Sequence, residues 1–376
     1  MRVAHVVASY YPRIGGVETH VRRIAEACAQ AGDEVTVLTH ATGSAAVPAP
    51  RTELLGGVRV LRFPATVRSA RYPLSLRLSR YLAARSGDFD VVHAHSYHTL
   101  VGHAAVRSGL PFVFTPHYHG TGHTRAAVLL HRLYRPAGAW VLANADAVIC
   151  VSDAERDLML GDFLTVARKT WVIPNGTDPR APAPAGPRRV PGSRVPGSAP
   201  PLLLTVGRLE RYKNVDLIIT AFGRLRTAAE LVIVGDGPDR ARLEPIARAT
   251  GRVRLAGRVS DAELGELLAG AAVVTSASDH EAFGLAVADG LAAGARVVAS
   301  AIPAHREIGR IAGAGAPVRY VDPRDPCAFT AALGDALAEG RPPAGRVWLP
   351  GWPEAAEQTR KVYRAVAAVE TSKEAV

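Results

Sequence analysis

Short apolar runs rich in β-branched residues recur along the whole chain, and segments with helical apolar spacing stand between many of them. In the first half the runs read RVAHVV, EVTVLT, VRVLRF, DVVHAH, PFVFTP, AVICVS and WVIPN. In the second they read LLLTVG, LVIVGDG, VRLAGRV, AVVTSA, RVVASA and PVRYVD, and segments such as ETHVRRIAEACAQAG and DAELGELLAGA carry the helical period. Continuous apolar strands alternating with helices predict parallel sheets covered on both faces. The pattern breaks once. Residues 178–200, DPRAPAPAGPRRVPGSRVPGSAP, are proline-rich and repeat VPGS, a composition that builds no core. The reading is α/β, with two doubly wound parallel-sheet domains over 1–177 and 201–352 joined by that linker. A final amphipathic helix follows over 353–376, after the Trp352-Pro353 break.

Composition narrows the chemistry. The 376 residues suit two domains of average size, and a hydrophobic content of 48% fills two cores. Cys28, Cys150 and Cys327 are scattered, which argues against a disulfide framework or a zinc site and for a reducing compartment. No run approaches the ~18 apolar residues of a membrane span, and the start does not read as a signal peptide, so a cytoplasmic location is expected. The formal charge of +11 favours phosphorylated small molecules or an anionic membrane surface. Nucleic acid is disfavoured, because no basic cluster is interleaved with aromatics. The stretch 68–85 aligns Leu74, Leu78 and Leu82, with Arg77 and Arg80 off the stripe. It reads first as a helix packed on its sheet, and second as a peripheral contact with the inner face of a membrane.

In open α/β sheets ligands bind beyond the C-terminal ends of the strands, and with two such domains the cleft between them is the expected site. Gly15-Gly16 follows the first strand and opens a helix, where unhindered N–H groups suit an anion. There is no GxGxxG and no GxxxxGK[ST], which removes support for nicotinamide binding and P-loop hydrolysis. Arg208 and Lys213 lie just past LLLTVG, five residues apart, and suit a diphosphate. The next strand ends in GDGP, a turn whose glycines let a ligand approach. In SDHEAFGLAVADG, after AVVTSAS, a helix is expected to start near Phe283-Gly284, with free N–H groups at Phe283, Gly284 and Leu285. Glu281 precedes it and Asp289 lies more than a turn inside, about 9 Å apart by helix rise. That disfavours a retaining glycosidase pair, which needs about 5–5.5 Å. One carboxylate on each side of a phosphate site suits a nucleotide sugar, with hexose hydroxyls at one end and ribose hydroxyls at the other.

With these motifs in place the chain resembles the retaining glycosyltransferases of family 4, with their GT-B architecture of two facing Rossmann-like domains and the site in the cleft between them. The resemblance covers nearly the whole chain. It rests on PRIGGVETHV, DVVHAHS, TPHYHG, ICVS, VIPNGTD, VGRLERYKN, LVIVGDGP, VRLAGRV and DHEAFGLAVADGLAAG, in that order. It implies that Arg208 and Lys213 hold the donor diphosphate, that Glu281 contacts the donor hexose, and that the amides of Phe283, Gly284 and Leu285 meet the phosphates. It implies Asp289 on the ribose, Arg258 and Val259 presenting backbone to the base, and Gly16 beside the phosphate with Gly15 toward the acceptor. His117 is implied beside the reacting sugar, as a catalytic residue with Glu281. His95, His119 and His123 are taken as acceptor contacts. The resemblance also implies retention of anomeric configuration, no cofactor, and a C-terminal helix that crosses back to the first domain. The chain departs from the family in one place, since Asp289 stands where a second glutamate is usual.

Two further patterns are set aside. Asp88-Phe89-Asp90 is a DxD, but it precedes the strand VVHAH and reads as a helix-to-strand turn. Eight of the thirteen histidines fall between 93 and 131, including the pairs His93/His95 and His117/His119. No cysteine or carboxylate stands at ligand spacing from them, so no metal is assigned. The functional expectation is a hexose moved from a nucleotide-diphosphate sugar, read as UDP-linked, to a hydroxyl of a small polar acceptor such as an aminocyclitol antibiotic precursor. The alternatives are a GDP-mannose-dependent mannosyltransferase acting on a membrane phospholipid or envelope glycan, a non-catalytic sugar-nucleotide binder, and a sugar-nucleotide epimerase.

Overall fold

The computed structural model describes residues 1–41, 51–66, 74–120, 125–178, 200–343 and 347–374. His123, most of the linker over 178–200 and residues 68–73 therefore lie outside the described residues. The chain divides into two units, Met1–Gly176 with Pro350–Val376, and Thr177–Leu349. The return to the first unit starts at Pro350, so Trp352, assigned from sequence to the second domain, belongs to the first.

In the first unit the chain runs β1 (Arg2–Val6), α1 (Gly16–Gln30), β2 (Glu34–His40), β3 (Arg51–Leu55), β4 (Val58–Phe63), α2 (Leu76–Ala84) and β5 (Val91–His95). It continues through α3 (Val101–Val106), β6 (Phe112–Thr115), α4 (Arg125–Asn144), β7 (Ala147–Cys150), α5 (Asp153–Asp162) and β8 (Thr170–Val172). The eight strands lie in the order β3-β4-β2-β1-β5-β6-β7-β8. All neighbours are parallel except β3 and β4, a hairpin turned at Gly56-Gly57. That edge hairpin has no counterpart in the sequence reading, because β3 is polar and mostly exposed. The interior strands are buried on both faces, as continuous β-branched runs require.

The second unit holds β9 (Leu202–Val206), α6 (Val215–Gly223), β10 (Glu230–Val234), α7 (Arg240–Thr250), β11 (Val253–Gly257) and α8 (Asp261–Gly270). Then come β12 (Ala271–Ser276), α9 (Leu285–Ala292), β13 (Arg296–Ser300), α10 (Pro303–Ala312), β14 (Val318–Val321) and α11 (Pro326–Glu339). Its six strands, all parallel, run in the order β11-β10-β9-β12-β13-β14. The last helix, α12 (Trp352–Glu374), buries Trp352, Ala355, Ala356, Val362 and Tyr363.

Both sheets reverse direction once. In the first the reversal falls between β1 and β5, in the second between β9 and β12. At such a switch point neighbouring loops leave in opposite directions and open a crevice at the strand ends.

Two sequence readings are settled here. Asp90 of the DxD accepts from the Arg2 guanidinium at 2.6 Å and donates its N–H to the Arg2 carbonyl at 2.8 Å, so this segment is a helix-to-strand turn. Leu78 and Leu82 of α2 are buried in the core of the first unit, so the stripe offered as a membrane contact is consumed by packing. Among the described residues no helix is long and apolar enough to cross a membrane.

Candidate active site

The second unit gathers its chemistry where β9 and β12 end. After β9 the chain makes a short 3-10 turn over Arg211–Lys213, and Asn214 leaves it with φ 48°, in the left-handed region. The Asn214 amide then donates to the Ala277 carbonyl at 3.0 Å and to Asp279 at 2.8 Å, while the Asp279 N–H donates to the Tyr212 carbonyl at 2.9 Å. These bonds lock the loop after β9 to the loop after β12. Tyr212 stacks on His280 with ring centroids 4.4 Å apart.

The lock brings Lys213 against Glu281. Their ammonium and carboxylate form a direct ion pair whose side chains are only 19% and 17% exposed. Burial opposes charge on Glu281, but Lys213, then His305 and a hydrogen bond from Ser278, hold its carboxyl below the ordinary range. Burial likewise opposes charge on Lys213, and Glu281 outweighs it, so the ammonium is held above its ordinary value. Both directions describe a charged pair at neutral pH. A paired charge held out of water is costly to build and matters most where a ligand uses it.

His305, near the start of α10, completes this group and is absent from the sequence reading. Its Nδ1 meets the Ser300 carbonyl at 3.0 Å, its Nε2 is buried without a partner, and burial lowers its basicity despite Glu281. The only signal was a histidine two residues past Pro303, after a strand in the same half.

The helix behind Glu281 begins later than expected. α9 starts at Leu285, with Gly284 as its N-cap at φ 108° and no side chain capping it. Phe283 is a core residue outside the helix. Val287 and Ala288 donate to the Gly284 carbonyl at 2.9 and 3.2 Å, so the helical bonds begin there and the amides of Gly284 and Leu285 precede them. Asp289 falls in the second turn of α9, half-buried.

Arg208 is exposed and pairs with Glu210 at 2.8 Å, and its charge is felt at Lys213. Arg258 and Val259 follow the edge strand β11, with β10 standing between β11 and β9. The GDGP glycines serve the chain itself: a Cβ at Gly237 would fall 2.3 Å from the Leu209 carbonyl oxygen.

The first unit places a second group at its own switch point. His5 stands on β1, His93 and His95 on β5, His20 on α1, and His117 just after β6 at φ 47°. Ser96, after β5, is also left-handed at φ 79°. Non-glycine residues in this region are strained and cluster at functional sites. His117 meets His20 edge-on at 4.8 Å and lies near-parallel to His95 at 6.0 Å. Burial pushes His20 down to about 4 and His5 to about 3, and holds His93, His95 and His117 well below the ordinary value, so all five rings are neutral at pH 7. One ring nitrogen of each member lies within 4.8 Å of the others in two sets, His5/His93/His95 and His20/His95/His117.

Gly15 caps α1 without a side-chain bond, and a Cβ on Gly16 would meet nothing within 4 Å. His119 packs its ring 5.2 Å from His98. His20 joins His95 and His117 in one cluster only through tertiary packing, because α1 and β5 lie far apart along the chain.

Comparison with known proteins agrees with both units. The family model for Glycosyltransferase Family 4 matches residues 14–181, and the model for Glycosyl transferases group 1 matches residues 200–339. The chain is 31% identical over 407 aligned residues to a glycogen synthase of Mycobacterium tuberculosis, covering 97% of this chain and 95% of that one. It is 29% identical to a phosphatidyl-myo-inositol mannosyltransferase of Mycolicibacterium smegmatis, covering 97% and 94%. It is also 29% identical to a D-inositol 3-phosphate glycosyltransferase of Xylanimonas cellulosilytica, covering 93% and 91%. Among solved structures, sucrose-phosphate synthase from Thermosynechococcus elongatus superposes with a TM-score of 0.68 at 22% identity, covering 100% and 98%. HepE of Anabaena, in complex with UDP and glucose, gives 0.67 at 16% identity, covering 99% and 100%.

Proposed function

This chain belongs to the family 4 glycosyltransferases and has the GT-B architecture of two Rossmann-like parallel-sheet units, and from that premise we propose a retaining, metal-independent transfer of a hexose from a nucleoside-diphosphate sugar to a hydroxyl of a small polyol acceptor. The observation that carries this reading is the part-buried Lys213–Glu281 pair beside the uncapped start of α9, at the switch point of the second unit. Lys213 and Arg208 neutralise the diphosphate, and the first turn of α9 adds N–H donors aimed at the same charge. Glu281, already ionised, accepts from hexose hydroxyls, and Asp289 accepts from the ribose. The leaving diphosphate gains charge as the glycosidic bond breaks, so cations preorganised around it lower the barrier. The departing phosphate oxygen takes the acceptor proton on the same face, which retains the anomeric configuration.

The first unit is assigned the acceptor. His117, partly exposed and neutral at working pH, offers hydrogen bonds rather than charge, which suits a polyol, and His95 lies fully buried behind it. Two of the similar proteins are named for inositol-containing acceptors, which supports a cyclitol hydroxyl as the acceptor class and UDP- or GDP-linked hexose as the donors to try first. An aminocyclitol belongs to the same chemical class. The shorter Asp289 reaches the ribose with a looser grip than glutamate would.

The test incubates the protein with UDP-, GDP- and ADP-hexoses, with and without myo-inositol or an aminocyclitol, in EDTA. Acceptor-dependent release of nucleoside diphosphate, with product of unchanged anomeric configuration by NMR, is the expected result. Sugar turnover without acceptor would favour an epimerase, and binding without turnover a non-catalytic protein. Glu281→Gln keeps the shape of the side chain and should lower kcat by roughly 10²-fold or more; full activity would remove Glu281 from the site.

A further inference from the structure

We propose that His20, His95 and His117 form an accessory site for a divalent transition metal, with zinc the best-matched ion, separate from the donor chemistry. His20 Nε2, His95 Nδ1 and His117 Nε2 are each buried without a hydrogen-bond partner. A ring nitrogen from each of the three residues lies within 4.8 Å of the other two. Two ligands of a tetrahedral zinc stand ~3.3 Å apart, so small ring movements close the set.

The second layer of contacts accommodates the tautomers that ligation needs. His20 Nδ1 lies 2.7 Å from Asn175 Oδ1 and donates to it, which leaves a lone pair on Nε2. His95 Nε2 lies 2.9 Å from His5 Nδ1. His5 Nε2 faces the Tyr363 hydroxyl at 3.5 Å, that hydroxyl lies 2.7 Å from His93 Nδ1, and His93 Nε2 lies 2.7 Å from Thr115 Oγ1. Donation in either direction satisfies the row, and metal binding selects the one that leaves a lone pair on His95 Nδ1: His95 Nε2–H donates to His5, His5 Nε2–H to the Tyr363 hydroxyl, that hydroxyl to His93, and His93 Nε2–H to Thr115. Ligating histidines are characteristically held in this way, each giving its other N–H to an acceptor.

The occupant is chosen by counting donors. Where lone pairs of three rings face one space, an alcohol brings a single donor and a water brings two. A cation satisfies all three at once. Imidazole sets favour zinc and its transition-metal neighbours over magnesium or calcium.

Occupancy would engage the free nitrogen of His117. In so far as His117 serves the acceptor, as proposed above, bound zinc inhibits transfer and EDTA restores it.

Cobalt(II) added to the metal-free full-length chain should bind one ion per chain and give the visible bands of a four- or five-coordinate nitrogen set, which zinc abolishes. His20→Gln and His117→Gln should each weaken binding by at least 10-fold, and Asn175→Leu by roughly 10- to 100-fold through the second layer. Absence of bands at stoichiometric cobalt, or bands unchanged in both histidine variants, would overturn the site. Should His20→Gln fail to fold, His117→Gln, at the less buried ring, decides alone. Cobalt binding in a protein that shows no transfer leaves the site standing and sinks the functional reading. Full transfer with zinc bound sinks only the inhibition.

Discussion

Gly284 and Gly16 make opposite demands on the chain. Gly284 holds φ 108°, and a Cβ there would fall 2.9 Å from His305 Cδ2 and 3.2 Å from Ile308 Cδ1. Gly284→Ala should therefore cost about 1–3 kcal/mol through strain and overpacking, lower the melting temperature, and weaken binding of the nucleotide-sugar donor by displacing the first turn of α9. Gly16 has no left-handed angle and open space before it, so Gly16→Ala should leave the melt unchanged; a raised donor KM in that variant would support the donor contact that the family resemblance implies for it. A thermal melt and a substrate titration on the two variants separate a requirement of the fold from one of the ligand. Equal loss of stability in both would refute the contrast. These residues also mark how far the sequence could be read. Lys213, Glu281 and Gly284 stand at strand ends in one half of the chain, so local pattern exposes them. His20, His305 and Tyr363 were not legible, since their partners are set by tertiary packing; Tyr363 meets His5 across 358 positions. No periodicity carries that information.

At the scale of elements, every interior strand was legible, because strands buried on both faces must be continuous apolar runs. The exposed β3 was not, and the start of α9 moved to Leu285 because glycine at a positive angle ends the loop before the helix begins. The element that needed the structure most is α12. It docks on the first unit through Arg360, whose guanidinium donates to Asp33 at 2.7 Å, and the Met1 ammonium reaches the same carboxylate at 2.9 Å. Burial alone would raise the Asp33 carboxyl, but Arg360 and the ammonium outweigh it and hold it below its ordinary value. A carboxyl depressed in the folded state stabilises fully above its unfolded value near 3.8 and loses that contribution as pH falls through the folded value. Asp33→Asn should cost about 1–2 kcal/mol at pH 7, allowing for solvent around Arg360, and the gap from the parent should narrow below about pH 3.5. Denaturant titrations of the two proteins at pH 7 and pH 3 check this. A gap that widens in acid would reverse the assignment.

On the scale of the whole molecule, the second unit is an insertion in the first: the chain leaves after Gly176 and returns at Pro350. Covalent continuity therefore does not match structural continuity, and a chain ending at Leu349 tests the difference. It would retain every strand of both sheets, yet the first unit would lose the buried Trp352, Val362 and Tyr363 together with the Arg360–Asp33 pair. Each large apolar side chain exposed costs about 1.5–3 kcal/mol, a large share of the stability of a single domain. The loss also reaches the first unit's polar row, because His93 Nδ1 gives up its bond to the Tyr363 hydroxyl inside the sheet. The second unit keeps its own core around Leu203, Ile218, Ile233 and Phe329. Amide exchange in the shortened chain should accelerate in β1 and β5 and stay slow in β9 and β12, and calorimetry should resolve two transitions of which only the lower has moved. Uniform loss of protection across both sheets would instead mean that the two units fold as one cooperative body, and unchanged protection in β1 would mean that α12 contributes little to the unit it completes.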